Sequence, residues 1–422
     1  MRDEGRAGVQ ARVQELTIAR VGAAGDGVAE GGGYVPGALP GERVLARMSG
    51  ERGALLEVLE PSPERVAPPC PHFGACGGCA LQHWAPAPYL AWKAEQIRLA
   101  LSHAGLRTDI ATPIAAPPHA RRRLALHARK RGGAIELGFK ARRSWELVPI
   151  KVCPISRPEL VEALPGLAAL AAPLFACPKS APTLHVTSTL TGLDVDITGV
   201  EARRTGLSGD ARVRIAEIAG AQGLARVSLA GEVLFQSRPP EVRFGRATVA
   251  LPPGSFLQAV ASAEQAMAAA AVEAVRGAAK VADLFCGAGA FTFRLAEVAS
   301  VIAADASEPA VAALRRAIGT APGLKPIAAE ARDLFRRPLS AAELKGVDAV
   351  VFDPPRAGAF DQARAIAGSK AGVVVGVSCN AATFARDAAV LVERGGFRLE
   401  RVLPVDQFLW SPHIELVGAF RR

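Results

Sequence analysis

Asp283-Leu284-Phe285-Cys286-Gly287-Ala288-Gly289-Ala290-Phe291 decides the fold, because an apolar run over 280–285 passes through two glycines into a helix-forming stretch. Glycines at such a turn adopt backbone angles that other residues avoid and let a ligand approach the main chain. Working outward, strand-like runs recur at 298–304, 347–352 and 372–377, each followed by a segment long enough for a helix, and 413–420 reads as a closing strand. From about 251 to 422 this alternation predicts an α/β domain built on a doubly wound, mostly parallel sheet.

The same turn predicts a cofactor site. Asp305 ends the next strand, roughly twenty residues on, where a carboxylate accepts from ribose hydroxyls. The third glycine of the dinucleotide fingerprint is missing, since Phe291 and Thr292 occupy its surroundings. NAD is therefore disfavoured, and a ligand without a pyrophosphate, S-adenosylmethionine, is expected over Asp283, Phe285, Gly287 and Gly289. Asp333, after the third strand, is placed to meet the adenine amino group, although a solvent-facing position fits its spacing equally well. Asp353-Pro354-Pro355-Arg356 follows the strand at 347–352, and its prolines hold a carboxylate at the crevice without a competing helix. Such a run is characteristic of enzymes that methylate nucleobases, though it is also an ordinary proline turn.

One strand further along, Val373-Val374-Val375-Gly376-Val377-Ser378-Cys379-Asn380 delivers a thiol to the ligand edge of the sheet. A packing cysteine is the simpler reading of Cys379 taken alone. Methylation of uracil C5 gives it a reason to be there. That carbon is a poor nucleophile until a thiolate adds at C6, and a base must afterwards remove the C5 proton. His413-Ile414-Glu415, entering the last strand, supplies both types of base.

The 422 residues suggest two or three domains. Residues 1–65 alternate short β-type stretches with glycines, as in a small barrel of the OB type that can hold single-stranded nucleic acid. Prolines at 61, 63, 68 and 69 mark a linker into a mixed domain over 66–250. Its expected strands are 122–129, 135–139, 185–195 and 225–235. An amphipathic helix at 89–103, within a helical region of about 83–112, is expected to lean on the catalytic domain. The net charge of +10 points to an acidic partner, and Arg121-Arg122-Arg123, Arg129-Lys130-Arg131 and Arg142-Arg143 cluster. No apolar run is long enough to span a bilayer, and Met1-Arg2-Asp3-Glu4-Gly5 lacks the apolar stretch of a signal peptide, so a cytoplasmic location is expected.

Of seven cysteines, Cys70, Cys76 and Cys79 are closely spaced among glycines, and Cys153 can complete a set of four. The spacing suits a [4Fe-4S] cluster or a four-thiolate zinc site, with a structural role expected first. Cys177 and Cys286 read as packing residues.

Together these residues resemble the S-adenosylmethionine-dependent RNA uracil-5-methyltransferases over nearly the whole chain. The barrel is similar to a TRAM domain, and the four cysteines to the [4Fe-4S] ligands of the family's 23S ribosomal RNA branch. The resemblance implies a Rossmann-like class I methyltransferase domain, Cys379 as the C6 nucleophile, Glu415 as the C5 base and Asp353 at the target base. Gly254-Ser255-Phe256-Leu257-Gln258 matches the family's glutamine motif, which implies that Gln258 contacts the cofactor or flipped base. Two residues depart from the pattern: Val260 stands where asparagine is usual, and Asp305 where glutamate is usual. The implied partner is RNA, in the first place 23S rRNA, held by the barrel and the arginines over 121–143. A tRNA substrate, or a noncatalytic metal-containing RNA-binding protein, are the alternatives.

Overall fold

The computed structural model describes residues 12–176, 180–200 and 207–422; the charged N-terminus and Cys177 lie outside the described residues. Strands Arg12–Val21, Asp26–Ala29, Tyr34–Pro36, Arg43–Ser49 and Arg52–Glu60 close into a five-stranded barrel. Alternation drives Val44, Ala46 and Met48 into its interior beside Ile18 and Val35. Gly27 is required where strand and loop nearly touch, because a Cβ there would lie 2.8 Å from the Ala38 carbonyl oxygen.

A seven-stranded sheet occupies the middle of the chain, its apolar face covered by the helices Leu164–Ala171 and Gly209–Ala221. Two segments expected as single strands are hairpins instead. Thr183–Thr189 pairs with Gly192–Thr198, and Arg226–Leu229 with Glu232–Gln236. The second reverses through Ala230 and Gly231, both at positive φ, as tight hairpin turns require. Apolar residues continue on both sides of each turn, which hides the reversal in the sequence.

The catalytic sheet contains Lys280–Leu284, Ser300–Asp305, Ile327–Ala331, Ala349–Phe352, Val373–Ser378, Arg398–Asp406 and Glu415–Arg421. Numbered in that order, the strands run 3-2-1-4-5-7-6 across the sheet, with the last strand antiparallel to its neighbours. Strand Arg398–Asp406 has no counterpart among the expected strands, because charged residues and a register shift between Leu399 and Arg401 break its alternation.

Two segments from the first half of the chain build into this domain. Helix Pro86–His103 places Ile97 and Leu101 in the core beneath one sheet face, while Tyr89 and Trp92 pack with Val21 and Leu39 of the barrel region. Asp109–Ile110 and Ile114–Ala115 then extend the sheet along Arg398–Asp406. The hairpin Glu241–Phe244/Ala247–Ala250 buries Val242, Phe244 and Val249 with Met267 and Val281. A division at 250/251 would cut through this core, so the boundary lies before residue 241. The seven-stranded sheet is thus a unit interposed between two stretches of the catalytic fold.

Candidate active site

A parallel sheet with one antiparallel strand brings chemically different residues to one edge. Phe285, Asp353 and Cys379 follow the C-terminal ends of three parallel strands, and Glu415 begins the antiparallel one. The ladder between Val373–Ser378 and Glu415–Arg421 ends with Ser378 paired to Leu416, so Cys379 leaves one strand where Glu415 enters its antiparallel neighbour. All four line a single cavity of about 630 Å³, with Gln258, Gly287 and Asp305.

At the glycine turn, Gly289 sits at φ +99°, and a Cβ would come within 2.7 Å of the Phe293 ring. Gly287 presents an open face to the cavity and donates its N–H to Asp305 Oδ2 at 2.9 Å. Asp305 Oδ1 accepts from the Ser307 N–H at 2.8 Å, which fixes the carboxylate at the crevice. Phe285 holds a left-handed backbone, φ +63°, and its ring lies 5.5 Å from that of Phe335. Such strain in a non-glycine residue is sustained only where the surroundings enforce it.

Three expected cofactor contacts fall outside the cavity lining. Asp283 lies beneath the turn, accepting from Thr292 Oγ1 at 2.5 Å while its Oδ1 is buried without a partner. Gly289 serves the close packing of Phe293. Asp333 turns its Oδ1 to the N–H groups of Phe335 and Arg336, and its neighbours Leu334 and Phe335 line the cavity instead.

The carboxyls of Asp353 and Glu415 are bound into an amide network. Gln258 Nε2 donates to Asp353 Oδ2 at 3.2 Å, Gln407 Nε2 donates to Gln258 Oε1 at 2.6 Å, and the same nitrogen donates to Glu415 Oε1 at 2.9 Å. Burial pushes Glu415 up to about 7, against the lowering effect of the Gln407 hydrogen bond. Asp353 is raised well above the usual carboxylate range, first by burial and then by Glu415 and Asp283. The Cys379 thiol is raised by burial and then by Glu415 and Asp353, with Arg356 opposing. Gln407 escaped the sequence reading, since an isolated glutamine after a strand carries no spacing signal.

Arg122 and Arg123 hold the preceding loop, donating to the carbonyls of Gln258 at 3.0 Å and Leu257 at 2.8 Å. Arg122 is 6% exposed and pairs with Glu264 at 2.6 Å. Arg142 and Arg143 converge on the buried Asp26 of the barrel, at 2.6 and 2.8 Å. The expectation that the whole 121–143 cluster faces RNA is therefore corrected: these arginines assemble the protein, while Lys130 and Arg131 are exposed.

The four cysteines share a second cavity of about 330 Å³, lined by Cys70, Cys76, Cys79 and Cys153. Cys76 accepts from the Gly78 N–H at 3.4 Å and Cys153 from Ser156 Oγ at 3.0 Å. Among the described residues, no three His, Cys, Asp or Glu side chains close to the spacing of one bound ion. Cys286 is buried under the catalytic sheet.

Residues 246–421 match the family model for tRNA (Uracil-5-)-methyltransferase. A protein of Caulobacter vibrioides described as an uncharacterized RNA methyltransferase is 62% identical, across 97% of this chain and 100% of the relative. The 23S rRNA (uracil(1939)-C(5))-methyltransferase of Alkalilimnicola ehrlichii is 34% identical, across 92% of this chain and 91% of the relative. The chain belongs to the RNA uracil-5-methyltransferase family. This methyltransferase also shares its fold with the Pyrococcus abyssi tRNA (uracil-54, C5)-methyltransferase solved with S-adenosyl-L-homocysteine, at a TM-score of 0.74 and 23% identity, covering 96% and 99% of the two chains. It is an S-adenosylmethionine-dependent enzyme that methylates C5 of uracil in RNA.

Proposed function

We propose that this methyltransferase modifies a uridine of 23S rRNA in the cytoplasm through a covalent Cys379 adduct resolved by Glu415. The observation that carries this reading is that Cys379 and Glu415, at the adjoining ends of two antiparallel neighbours, line one cavity with Asp353 and Asp305. S-adenosylmethionine, bound over Phe285, Gly287 and Asp305, supplies an electrophilic methyl group. Cys379, its proton lost to solvent, attacks C6 as the thiolate, the C5–C6 π electrons move toward C5 and O4, and C5 would then take the methyl as the sulfonium C–S bond breaks and S-adenosylhomocysteine leaves. Glu415 then removes the C5 proton; that electron pair rebuilds the double bond, and the C6–S bond breaks to return the thiolate. Asp353, whose protonated form is favoured by burial and by the neighbouring carboxyls, can donate to the uracil oxygen on which negative charge develops. Where Asp353 holds its proton, one of the charges that oppose thiol ionisation is gone, while Glu415, raised to about 7, keeps an ionised fraction able to act as base. The base must enter the cavity from outside the stack, at a cost of a few kcal/mol.

The cysteine set supports a [4Fe-4S] cluster. A zinc ion would need its sulfurs about 3.8 Å apart, from a Zn–S bond of about 2.3 Å. Four half-buried thiols distributed around a cavity suit the wider footprint of a cubane, and the Gly78 and Ser156 donors suit sulfurs carrying negative charge. Such a cluster would tie the linker segment to the central sheet. The purified protein should be brown with broad visible absorbance; a colourless protein retaining zinc would refute the assignment.

The mechanism is tested with RNA containing 5-fluorouridine and labelled cofactor. Fluorine does not leave as a proton does, so wild-type protein should form a labelled adduct that survives denaturation, and Cys379→Ala none. Absence of an adduct with any ribosomal fragment would sink the reading. Mapping 5-methyluridine in ribosomal and transfer RNA of cells with and without the protein separates the 23S assignment from a tRNA one.

A further inference from the structure

Gln407 stands between the strand Arg398–Asp406 and the loop that returns to Glu415, and it is 2% exposed. Its amide is fully used. Oε1 accepts from the backbone N–H groups of Ala259 at 2.9 Å and Val260 at 3.4 Å, and Nε2 donates to Gln258 Oε1 and Glu415 Oε1. Those two backbone donors dictate which end of the amide is oxygen, so the nitrogen must face the carboxyl. Gln258 is oriented in turn, because its oxygen receives Gln407 and its nitrogen is left to Asp353. Val260 offers no side-chain group to the first turn of helix Ala261–Ala274, so the local polar contacts of this corner run through Gln407.

We propose that Gln407 is a positioning residue for proton removal: it holds Glu415 by Oε1, leaving Oε2 as the oxygen that takes the C5 proton, while Gln258 keeps its own holds on Asp353 and Arg122. The inference rests on the proposed thiol adduct. Its consequence is selective, because thiol addition and methyl transfer precede the step that Glu415 performs. Loss of Gln407 therefore slows release of the methylated adduct while leaving its formation nearly intact.

The test uses full-length enzyme, an RNA substrate and cofactor labelled in the methyl group. Gln407→Met removes all four hydrogen bonds at similar volume. Labelled adduct should form within about threefold of the wild-type rate, and its release should slow by about 10²-fold, the lower end of what a positioned base contributes. The titratable groups that face Glu415 are Cys379 and Asp353, with Arg356 lining the same cavity. None is altered by the substitution, so the rise of release with pH should move upward, as the donor that favours the Glu415 carboxylate is gone.

If Gln407→Met does not fold, Gln407→Glu carries the test, since it keeps an oxygen for Ala259 and Val260. Two carboxyls then face each other and share one proton, which disfavours ionised Glu415, so the rise of release with pH should move upward from that of the wild type, and further than in Gln407→Met. Wild-type release and pH profile in a folded variant overturn the proposal, as does an equal loss of adduct formation and release. A wild-type enzyme that forms no adduct would instead overturn the reading on which the proposal rests.

Discussion

Asp283 is a carboxyl where solvent cannot help it: buried under the glycine turn, with one oxygen bonded to Thr292 and the other to nothing. Burial raises it from an ordinary 3.8 to about 7. The folded state thus keeps a proton that the unfolded chain releases near pH 4, so this contribution to stability is complete below that pH and is lost as pH rises through about 7. Asp283→Asn should raise Tm at pH 8 and lose that advantage at pH 5, which thermal denaturation at the two pH values checks. At this scale the sequence was legible where chemistry demands a residue type: Cys379 and Glu415 occupy one cavity with Asp353, Asp305 and Gln258. It was illegible for Gln407 and for the true surroundings of Asp333 and Asp283, because which way a carboxylate or amide turns is decided by partners distant in the chain.

Among the elements, helix Pro86–His103 has the widest reach. Lys93, with no exposed surface, donates to Asp406 Oδ1 at 2.5 Å and to the His413 carbonyl at 2.6 Å, while Tyr89 donates to Asp406 Oδ2 at 2.6 Å. The two ends of the loop that bears Gln407 are therefore fastened to one helix face. Burial lowers Lys93 to about 8, and Asp406 opposes that drop. Lys93→Met would strand Asp406 without its cation and should destabilise the fold by about 3–5 kcal/mol, measured by denaturant unfolding. Periodicity announced this helix and the apolar strands flanking the glycine turn. Neither the hairpins at 183–198 and 226–236 nor strand Arg398–Asp406 was announced, since their turns and bulges interrupt no hydrophobic run in a way that sequence alone reveals.

For the molecule as a whole, Asp26 joins barrel to central sheet. It is 1% exposed and faces Arg142, Arg143 and Arg52, the last at 3.4 Å. Removing one member of such a buried group leaves the others uncompensated. Asp26→Asn should loosen the barrel and speed limited proteolysis in the linker near residues 61–69, with cofactor binding by the catalytic domain unchanged. RNA affinity should also fall steeply with salt, as the net charge of +10 requires if phosphates are the partner. The three-part plan was legible because the barrel's glycine rhythm and the α/β alternation are local. The interposed middle sheet was not, since nothing local marks residues 86–116 and 241–250 as belonging to a distant core. One consequence concerns how the enzyme matures. The Ala80 and Leu81 N–H groups, just past Cys79, both donate to the Trp410 carbonyl, and Phe408 and His413 wall the cysteine cavity. The loop that carries Gln407 rests on the cysteine segment, so a chain in which that segment is not yet ordered should lack a firmly held Glu415.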